Sequence, residues 1–594
     1  MIETTTAVAV TDYYGPNESK KARDYRKRLA ALEEEAQPYF TPWQEAANHF
    51  MPGSVRISTR GINTNRALNP LPDPDIVNGV GVLARRIFES GMMASLTNPL
   101  RPWCAIGTID PDVNRSQRAK MWYHQAVEWM FGVLAGGNAY QVLPKIYGTL
   151  GTHGTSGNIQ EPDEKDTVRL YNWTTGSYFL ASNPRGEIDT AYVKLQMTVL
   201  NLVRKFGIDN VSDRVRNMYT NKNYDAYVDI TRVIEPNDTQ QYGKEDHSGM
   251  PIRSCWFEDG TKSGDGFLKE SGYWDDPLRC PRWDQEGSDV WGRGMGFQAL
   301  ADSRMLQSYG RREGQYIDYM TAEPVEGPSS LEGSYPLPGE TVSVPFSGTT
   351  QNQVRPISSH PPAGVNVLDM RQQRLEGRIN EWWYVHLWMS ILNDERKQRA
   401  TAREVAEAHE EKLIQLGPAL VRIFNELLDK LVLGIINEGI RQSIPFWRIG
   451  QPGVLPIPPQ EVLGRPIKVE YISQLALAMK LVGIASIERL ASFGGSIFAV
   501  YPDIIDTLDW DRMTERYADR LSADPDFIVP QEVRDARRRA RAAAKAQQAQ
   551  TTEMLPAAAK SAEVLSRTDV QGDSALNRLL VARGLSPAFP GGGQ

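Results

Sequence analysis

The chain is poor in the residues that most catalytic and metal-binding chemistry depends on. Its 594 residues include only three cysteines and seven histidines. Cys104, Cys255 and Cys280 stand far apart with no C-x-x-C pair, so neither a disulfide framework nor a zinc site is expected. His49, His124, His153, His247, His360, His386 and His409 show no H-E-x-x-H or H-x-H spacing, so no metal site is expected from them. There is no Gly-x-Ser-x-Gly elbow and no Walker A loop, and no cofactor or enzymatic activity is expected. No run approaches the ~18 apolar residues that a membrane span needs. The start, Met1-Ile-Glu-Thr-Thr-Thr, lacks the basic region of a signal peptide, so the chain is expected to be soluble and not exported. Positive charge is not in surplus either: 66 basic residues against 73 acidic ones give a net charge of -7. A protein that grips nucleic acid tightly needs the opposite balance. A surface that DNA slides past does not.

What is present is a strong helical centre between Gly292 and Arg441. A first helix begins near Leu300, Met305 and Leu306 and runs towards Tyr319. The segment Glu323–Pro362 is rich in Pro, Gly and Ser, has no helical period, and includes Thr341-Val-Ser-Val344 as a candidate strand. A loop of that length inside a compact protein is usually functional or disordered. A second helix carries Leu368, Leu375, Ile379, Trp382, Trp383, Val385 and Leu387. The charged link Asn393-Asp-Glu-Arg-Lys-Gln-Arg399 leads to a third helix, opened by a capping box of Thr401 with Glu404. Leu413, Leu416, Leu420, Phe424, Leu427, Leu431 and Ile435 follow at steps of three and four, an apolar helical face. Pro418 falls inside that run and predicts a kink, because it removes a donor and crowds the carbonyl of Ile414.

The rest of the chain reads in blocks. Ser19–Phe50 is densely charged and predicts a solvated helix interrupted by Pro38 and Pro42, followed by a loop over Met51–Pro74. Helices are expected at Ile76–Leu96 and Lys120–Leu134. Val168–Tyr171, Ser177–Leu180, Thr190–Met197, Ala226–Ile230, Ile252–Phe257 and Gly272–Trp274 read as short antiparallel strands, with a helix at Leu200–Phe206 between them. The first half is therefore α+β. Further helices are expected at Ser473–Phe493 and Tyr501–Tyr517. Gln531–Gln550 is rich in Arg, Ala and Gln, and the remainder to Gln594 is Ala- and Ser-rich, a helix that frays into disorder.

Three features imitate chemistry. Gly292-Arg-Gly-Met-Gly296 precedes a helix, as a phosphate loop does, but no Lys-Ser/Thr follows, and a tight turn into the helix is the better reading. Asp503, Asp506, Asp509 and Asp511 lie along one segment, whereas two-metal chemistry needs carboxylates converging from different elements. Arg534, Arg537, Arg538 and Arg541, with Arg539 and Lys545, form a basic stretch that suits either nucleic-acid contact or packing against a neighbouring subunit.

Several motifs together resemble the head-to-tail connecting (portal) proteins of short-tailed, T7-like phages. They are Glu89-Ser-Gly-Met-Met-Ala-Ser-Leu-Thr-Asn-Pro99 with Arg101-Pro-Trp103, then Trp291-Gly-Arg-Gly with Ala299-Leu-Ala-Asp302. Arg371-Gln with Arg378-Ile-Asn380 comes next, and last Thr401-Ala-Arg-Glu-Val405 with His409-Glu-Glu-Lys-Leu413 and Leu416-Gly-Pro418. In order, these span Phe88 to Arg541. The resemblance implies a multidomain fold in a ring of about twelve subunits, closed by head-to-tail contacts, through which double-stranded DNA enters and leaves a capsid. It implies a wing over residues 1–285, stem helices at 286–322 and 363–392, a clip at 323–362 and a tunnel loop at 393–400. A return through wing and crown follows at 401–520, then a crown helix and flexible tail at 521–594. Arg396, Lys397 and Arg399 would be the tunnel-loop side chains that meet phosphates. The implied partners are further copies of the chain, double-stranded DNA, the terminase motor, tail adaptor or tube proteins, and major capsid and scaffolding proteins, with no membrane. The implied place is the capsid vertex of the virion, after synthesis in the host cytoplasm. A terminase or nuclease of phage packaging, or a helical scaffold or adaptor without a channel, is the alternative reading.

Overall fold

A computed structural model describes residues 20–54, 57, 76–110, 113–259, 267–321, 325–326, 355–356, 363–392, 417–471, 487–493, 510–521, 529 and 533–546. The chain divides into two compact units, Met1–Leu521 and Ser522–Gln594.

Helix α1 (Lys20–Phe50) corrects the first expectation. It is one helix of 31 residues with Pro38 and Pro42 inside it, and it is not solvated all round. Tyr25, Leu29, Ala36, Phe40, Trp43, Ala46 and Phe50 are buried at steps of three, four and seven, a full core stripe. Pro38 and Glu34 stand on the exposed side, so the carbonyl that Pro38 leaves unpaired faces water and the helix continues. After α2 (Val80–Leu96) the chain enters a short strand, β1 (Cys104–Thr108), and then α3 (Gln117–Gly136) and α4 (Ala139–His153). Helix α4 was not expected. Eleven of its fifteen residues are buried, and from Ile146 to His153 every residue is, so only its first half carries a stripe to read.

The anticipated antiparallel strands are present, but Val168–Tyr171 does not join the others: it pairs with a strand at 158–163 that the sequence reading did not expect. Strands β2 (Asn158–Asp163) and β3 (Thr167–Asn172) form a separate hairpin. β4 (Tyr178–Ser182), β5 (Ile188–Thr198), β6 (Tyr227–Pro236), β7 (Ile252–Glu258) and β8 (Lys269–Tyr273) form an antiparallel meander in that order. Helix α1 packs one apolar side chain after another on this sheet, with Phe40 and Trp43 beside Phe179 and Trp291. Helices α5 (Val199–Phe206) and α6 (Asp213–Thr220), inserted between β5 and β6, close a smaller cluster around Trp256. Each begins at a hydroxyl cap, Thr198 Oγ1 accepting from Asn201 N and Ser212 Oγ from Val215 N.

Helix α7 (Met295–Thr321) leads towards the paired dipeptides β9 (Val325–Glu326) and β10 (Arg355–Pro356), and α8 (Ala363–Trp382) returns beside it. The expected single second helix is broken. Tyr384 takes a left-handed φ of 53°, and α9 (Val385–Leu392) starts afresh. The break has a packing cause: it lets Trp383 and Trp388 both turn inward, each fully buried beside Phe88.

The third central helix is described from Gly417. It consists of α10 (Gly417–Ile423), a π-helical turn at Phe424–Leu428, and α11 (Asp429–Trp447). Pro418 stands in the first described turn, and Ile414, whose carbonyl it was expected to crowd, lies outside the described residues together with Thr401 and Glu404. Among the described residues the irregularity of this helix is the π turn. Strand β11 (Ile467–Tyr471) then pairs antiparallel with β1, Cys104 opposite Tyr471, tying the late chain to the early chain. A helix at Trp510–Leu521 carries Asp511; Asp503, Asp506 and Asp509 lie outside the described residues, as does Thr341-Val-Ser-Val344.

Candidate functional site: a helical hairpin and its anchor

The α7–α8 hairpin is held by polar contacts that fix its register. Trp382 Nε1 donates to Asp302 Oδ2 at 3.0 Å and Arg378 Nη2 reaches Asp302 Oδ1 at 3.0 Å, near the base. Further out, Gln372 Nε2 donates to Glu313, and Gly364 lies against the Tyr316 ring. Near the base the pair is buried through Ala299, Leu300, Leu306, Leu375 and Ile379. Its outer half is not: Ile317, Tyr319, Val367 and Met370 are 44%, 50%, 55% and 65% exposed. A hairpin with that much apolar side chain in water is built to be covered by something else.

The anchor is where α4 ends against the start of α7. Gly154 caps α4 with φ 82°, a left-handed conformation that glycine adopts without strain. Around it Trp283 N donates to Gly154 O at 2.8 Å and Gly292 N donates to Thr155 Oγ1 at 2.7 Å. A Cβ on Gly294 would stand 2.5 Å from Gly151 O, so two backbones touch where side chains would hold them apart. The Gly292-Arg-Gly-Met-Gly296 motif is thus a backbone-to-backbone joint that leads into α7, as expected, but without the tight turn that was expected with it. His153, one residue before the cap, is fully buried, its Nδ1 3.1 Å from Thr175 Oγ1, and burial pushes its pKa down to about 4.

A second joint was not foreseen. The segment 275–284 runs beside the helix 417–447 and meets it through ion pairs. Arg422 pairs with Asp284 at 3.2 Å, Glu426 with Arg282 at 2.5 Å, Lys430 with Asp276 at 2.5 Å, and Arg441 with Asp275 at 2.6 Å. Arg282 is only 2% exposed and makes a fork with Glu426 through Nε and Nη2 while its backbone N donates to the same carboxylate at 2.8 Å. The alternation of sign at Arg422, Glu426 and Lys430 was visible in the sequence, but its partners were not.

Of the residues singled out for DNA, Arg396, Lys397 and Arg399 lie outside the described residues. Arg534, Arg537, Arg538 and Arg541 lie on a helix at 533–546 in the second unit, at spacings of three and four that put them on one face. Among the described residues no group of three His, Cys, Asp or Glu side chains is placed to hold a metal ion, and no helix is long and apolar enough to cross a membrane. Cys104, Cys255 and Cys280 are free and buried, and burial pushes the Cys280 thiol up to about 12, which makes it a poor nucleophile.

The fold and these joints suit a structural subunit, and comparison with known families defines its class. The chain belongs to the bacteriophage head to tail connecting protein family, whose profile matches residues 22–529. It is similar to the portal protein of Salmonella phage epsilon15, 34% identical over 563 residues, which covers 94% of this chain and 98% of that protein. It is similar to the probable portal protein of Bordetella phage BPP-1, 32% identical over 556 residues, covering 92% of this chain and 96% of that one. Chains from a virion of a native gene transfer agent particle and from the neck of an empty particle of that kind match with 10% identity. They cover 70% and 75% of this chain, 86% and 94% of those chains, with TM-scores of 0.28 and 0.29. The resemblance read from the motifs is thereby established: this is a phage head–tail connector of the portal type.

Proposed function

We propose that about twelve copies of the chain close into a ring at one capsid vertex. Double-stranded DNA is driven in through its channel by the terminase motor and later leaves through it. The observation that supports this reading most is the near end-to-end match with two portal proteins. The exposed apolar outer half of the α7–α8 hairpin agrees with it, because in a ring the neighbouring subunit covers that surface. The net charge of -7 agrees as well, since a channel that held phosphate tightly would stall the passing duplex.

In this reading residues 1–285 form the wing, α7 and α8 the stem, and 323–362 the clip on which the motor and then the tail adaptor or tube proteins dock. Residues 393–400 line the channel with Arg396, Lys397 and Arg399, while 401–520 return through the wing towards a crown formed by 521–594. The major capsid and scaffolding proteins surround the ring in the virion. Negative-stain images of the purified chain test the ring: top views with a central hole are expected, and monodisperse monomers or filaments would refute it. Replacing 323–362 by a Gly/Ser linker is expected to spare the ring and abolish DNA packaging, and normal packaging by that variant would remove the clip assignment. ATP hydrolysis or nuclease activity by the pure chain would favour a packaging enzyme instead.

A further inference from the structure

Three elements line a cavity of about 670 Å³: the β4–β5 turn at 183–187, the strap 275–284 with its continuation to Ser288, and the helix 417–447. In an unbroken α-helix, residues eight apart drift around the axis by about 80°. The π turn at Phe424–Leu428 holds one extra residue and takes that drift back, so Arg422, Glu426 and Lys430 all reach the cavity, with Asn425 among them.

The walls are fixed before any ligand arrives. Arg282, buried in the strap, joins all three elements, its Nη2 donating to Gly186 O at 2.7 Å and to Glu426 Oε1 at 2.5 Å. The turn holds itself, Asn183 Oδ1 accepting from Arg185 N at 2.9 Å and from Glu187 N at 3.0 Å. A preformed cavity of this volume falls within the range of ligand sites.

What the walls leave on offer decides the ligand. Arg185, Arg282, Arg422 and Lys430 line the cavity against Glu187 and Glu426, so four cations face two carboxylates and two positive charges are in surplus. Among the described residues, the side chains of Ser182, Arg185, Ser288 and Asn425 have no partner. They stand on three different elements, so one small ion cannot meet them together, and the two carboxylates repel a free dianion. An extended peptide meets both conditions. Its carbonyls accept from the hydroxyls and the amide, its N–H groups donate to the lone pairs that Glu187 and Glu426 keep, and an acidic side chain answers Arg185.

We propose that the cavity is a docking pocket for an extended acidic segment of a partner protein, with Arg185 binding its carboxylate. The pocket is complete within one chain, so it stands whether or not the ring does.

Fluorescence anisotropy on the full chain tests this with two labelled peptides, Ser-Glu-Ser-Glu-Ser and its neutral counterpart Ser-Gln-Ser-Gln-Ser. The acidic peptide is expected to bind at least about tenfold more tightly, as a hydrogen bond to a charged group is worth, and to lose at least about tenfold in Arg185→Glu. Arg185 is exposed, so that substitution breaks no contact of the fold. Arg214→Glu makes the same charge change on the exposed side of α6 and is expected to leave binding unchanged. The bound acidic peptide is expected to slow hydrogen exchange at 183–187 and 285–289. Equal binding of the two peptides, equal losses in the two variants, or unchanged exchange around the cavity overturns the pocket. Displacement of the peptide by inorganic phosphate at equal concentration would make it a small-anion site. Binding to monomers but not to rings would mean that a neighbouring copy fills it. Either result overturns the partner assignment. If the chain forms no ring, the ring reading fails while the peptide titrations still judge the pocket.

Discussion

Gly154 offers the sharpest test of the joint between α4 and α7. Substituting alanine does two things at once. It places a side chain at φ 82°, where an L-residue costs about 1–2 kcal/mol. It also drives a Cβ into the backbone of Gly292, Arg293 and Gly294, and backbone cannot swing away as a flexible side chain can. Overpacking of that kind costs typically about 1–3 kcal/mol more, so a total of about 2–5 kcal/mol is expected. The control is Gly186→Ala. Gly186 has φ 79°, nearly the same backbone strain, but nothing lies within 4 Å of its added Cβ. Urea unfolding of the two variants, compared at the same transition, separates strain from contact. The Gly186 variant is expected to lose about 1–2 kcal/mol, and the Gly154 variant to lose clearly more and to unfold at a lower midpoint. Equal losses would mean that the glycine joint is not a close backbone contact, and the account of Gly292-Arg-Gly-Met-Gly296 would fall with it.

Other outcomes follow from the same joints. Glu426→Ala leaves the buried Arg282 guanidinium unpaired and is expected to cost about 3–5 kcal/mol in denaturant, whereas Arg282→Met with Glu426→Leu is expected to come close to wild type. His153 has a folded pKa of about 4 against 6.5 for the free side chain, so the unfolded chain binds the extra proton between those values. Stability is fully present above pH 6.5, falls by about 3 kcal/mol as pH drops towards 4, and is expected to fall less in His153→Gln; equal slopes in both proteins would refute it. Reversing Arg396 and Lys397 to Glu is expected to leave rings intact and to reduce DNA retention, and failure to form rings would make them subunit contacts.

The parts of the fold that were legible in the sequence are those whose signal is local. Strands β4 to β7 are short runs rich in β-branched and aromatic residues, α2 and α3 carry one apolar stripe each, and the glycine motif before α7 announces the entry into that helix. Helix α4 escaped because burial on every side of its last eight residues erases the periodicity there, and because Pro144, Gly148 and Gly151 read as breakers. Gly151 is instead there to let Phe88, Trp383 and Met295 approach, a reason that exists only once three other elements are in place. The family was legible for a different reason: its motifs are kept in order along the chain, and order survives where each motif alone says little. Arg396, Lys397 and Arg399 were chosen because the resemblance implies a tunnel loop there, and Arg534, Arg537, Arg538 and Arg541 from charge, and neither ground says which way a side chain faces in a ring.

Three further features that escaped share one physical cause. The β1–β11 pairing, the break at Tyr384 and the π turn are each a departure from the local optimum made in favour of a distant partner. Tyr384 accepts a left-handed φ so that Trp383 and Trp388 can both reach Phe88. The π turn gives up regular helix geometry so that Arg422, Glu426 and Lys430 face one strap. Tyr471 brings its ring onto Phe424, with centroids 4.2 Å apart, and its hydroxyl to Asp429 at 2.5 Å, so β11 clasps the same helix next to the same turn. All three departures converge on the helices 363–392 and 417–447, on either side of the link that the function reading places at the channel. Thr167 and Lys222, the other non-glycine residues with left-handed φ among the described residues, sit at turns of the sheet region and pack no such partners, so it is these three departures that a distant contact explains.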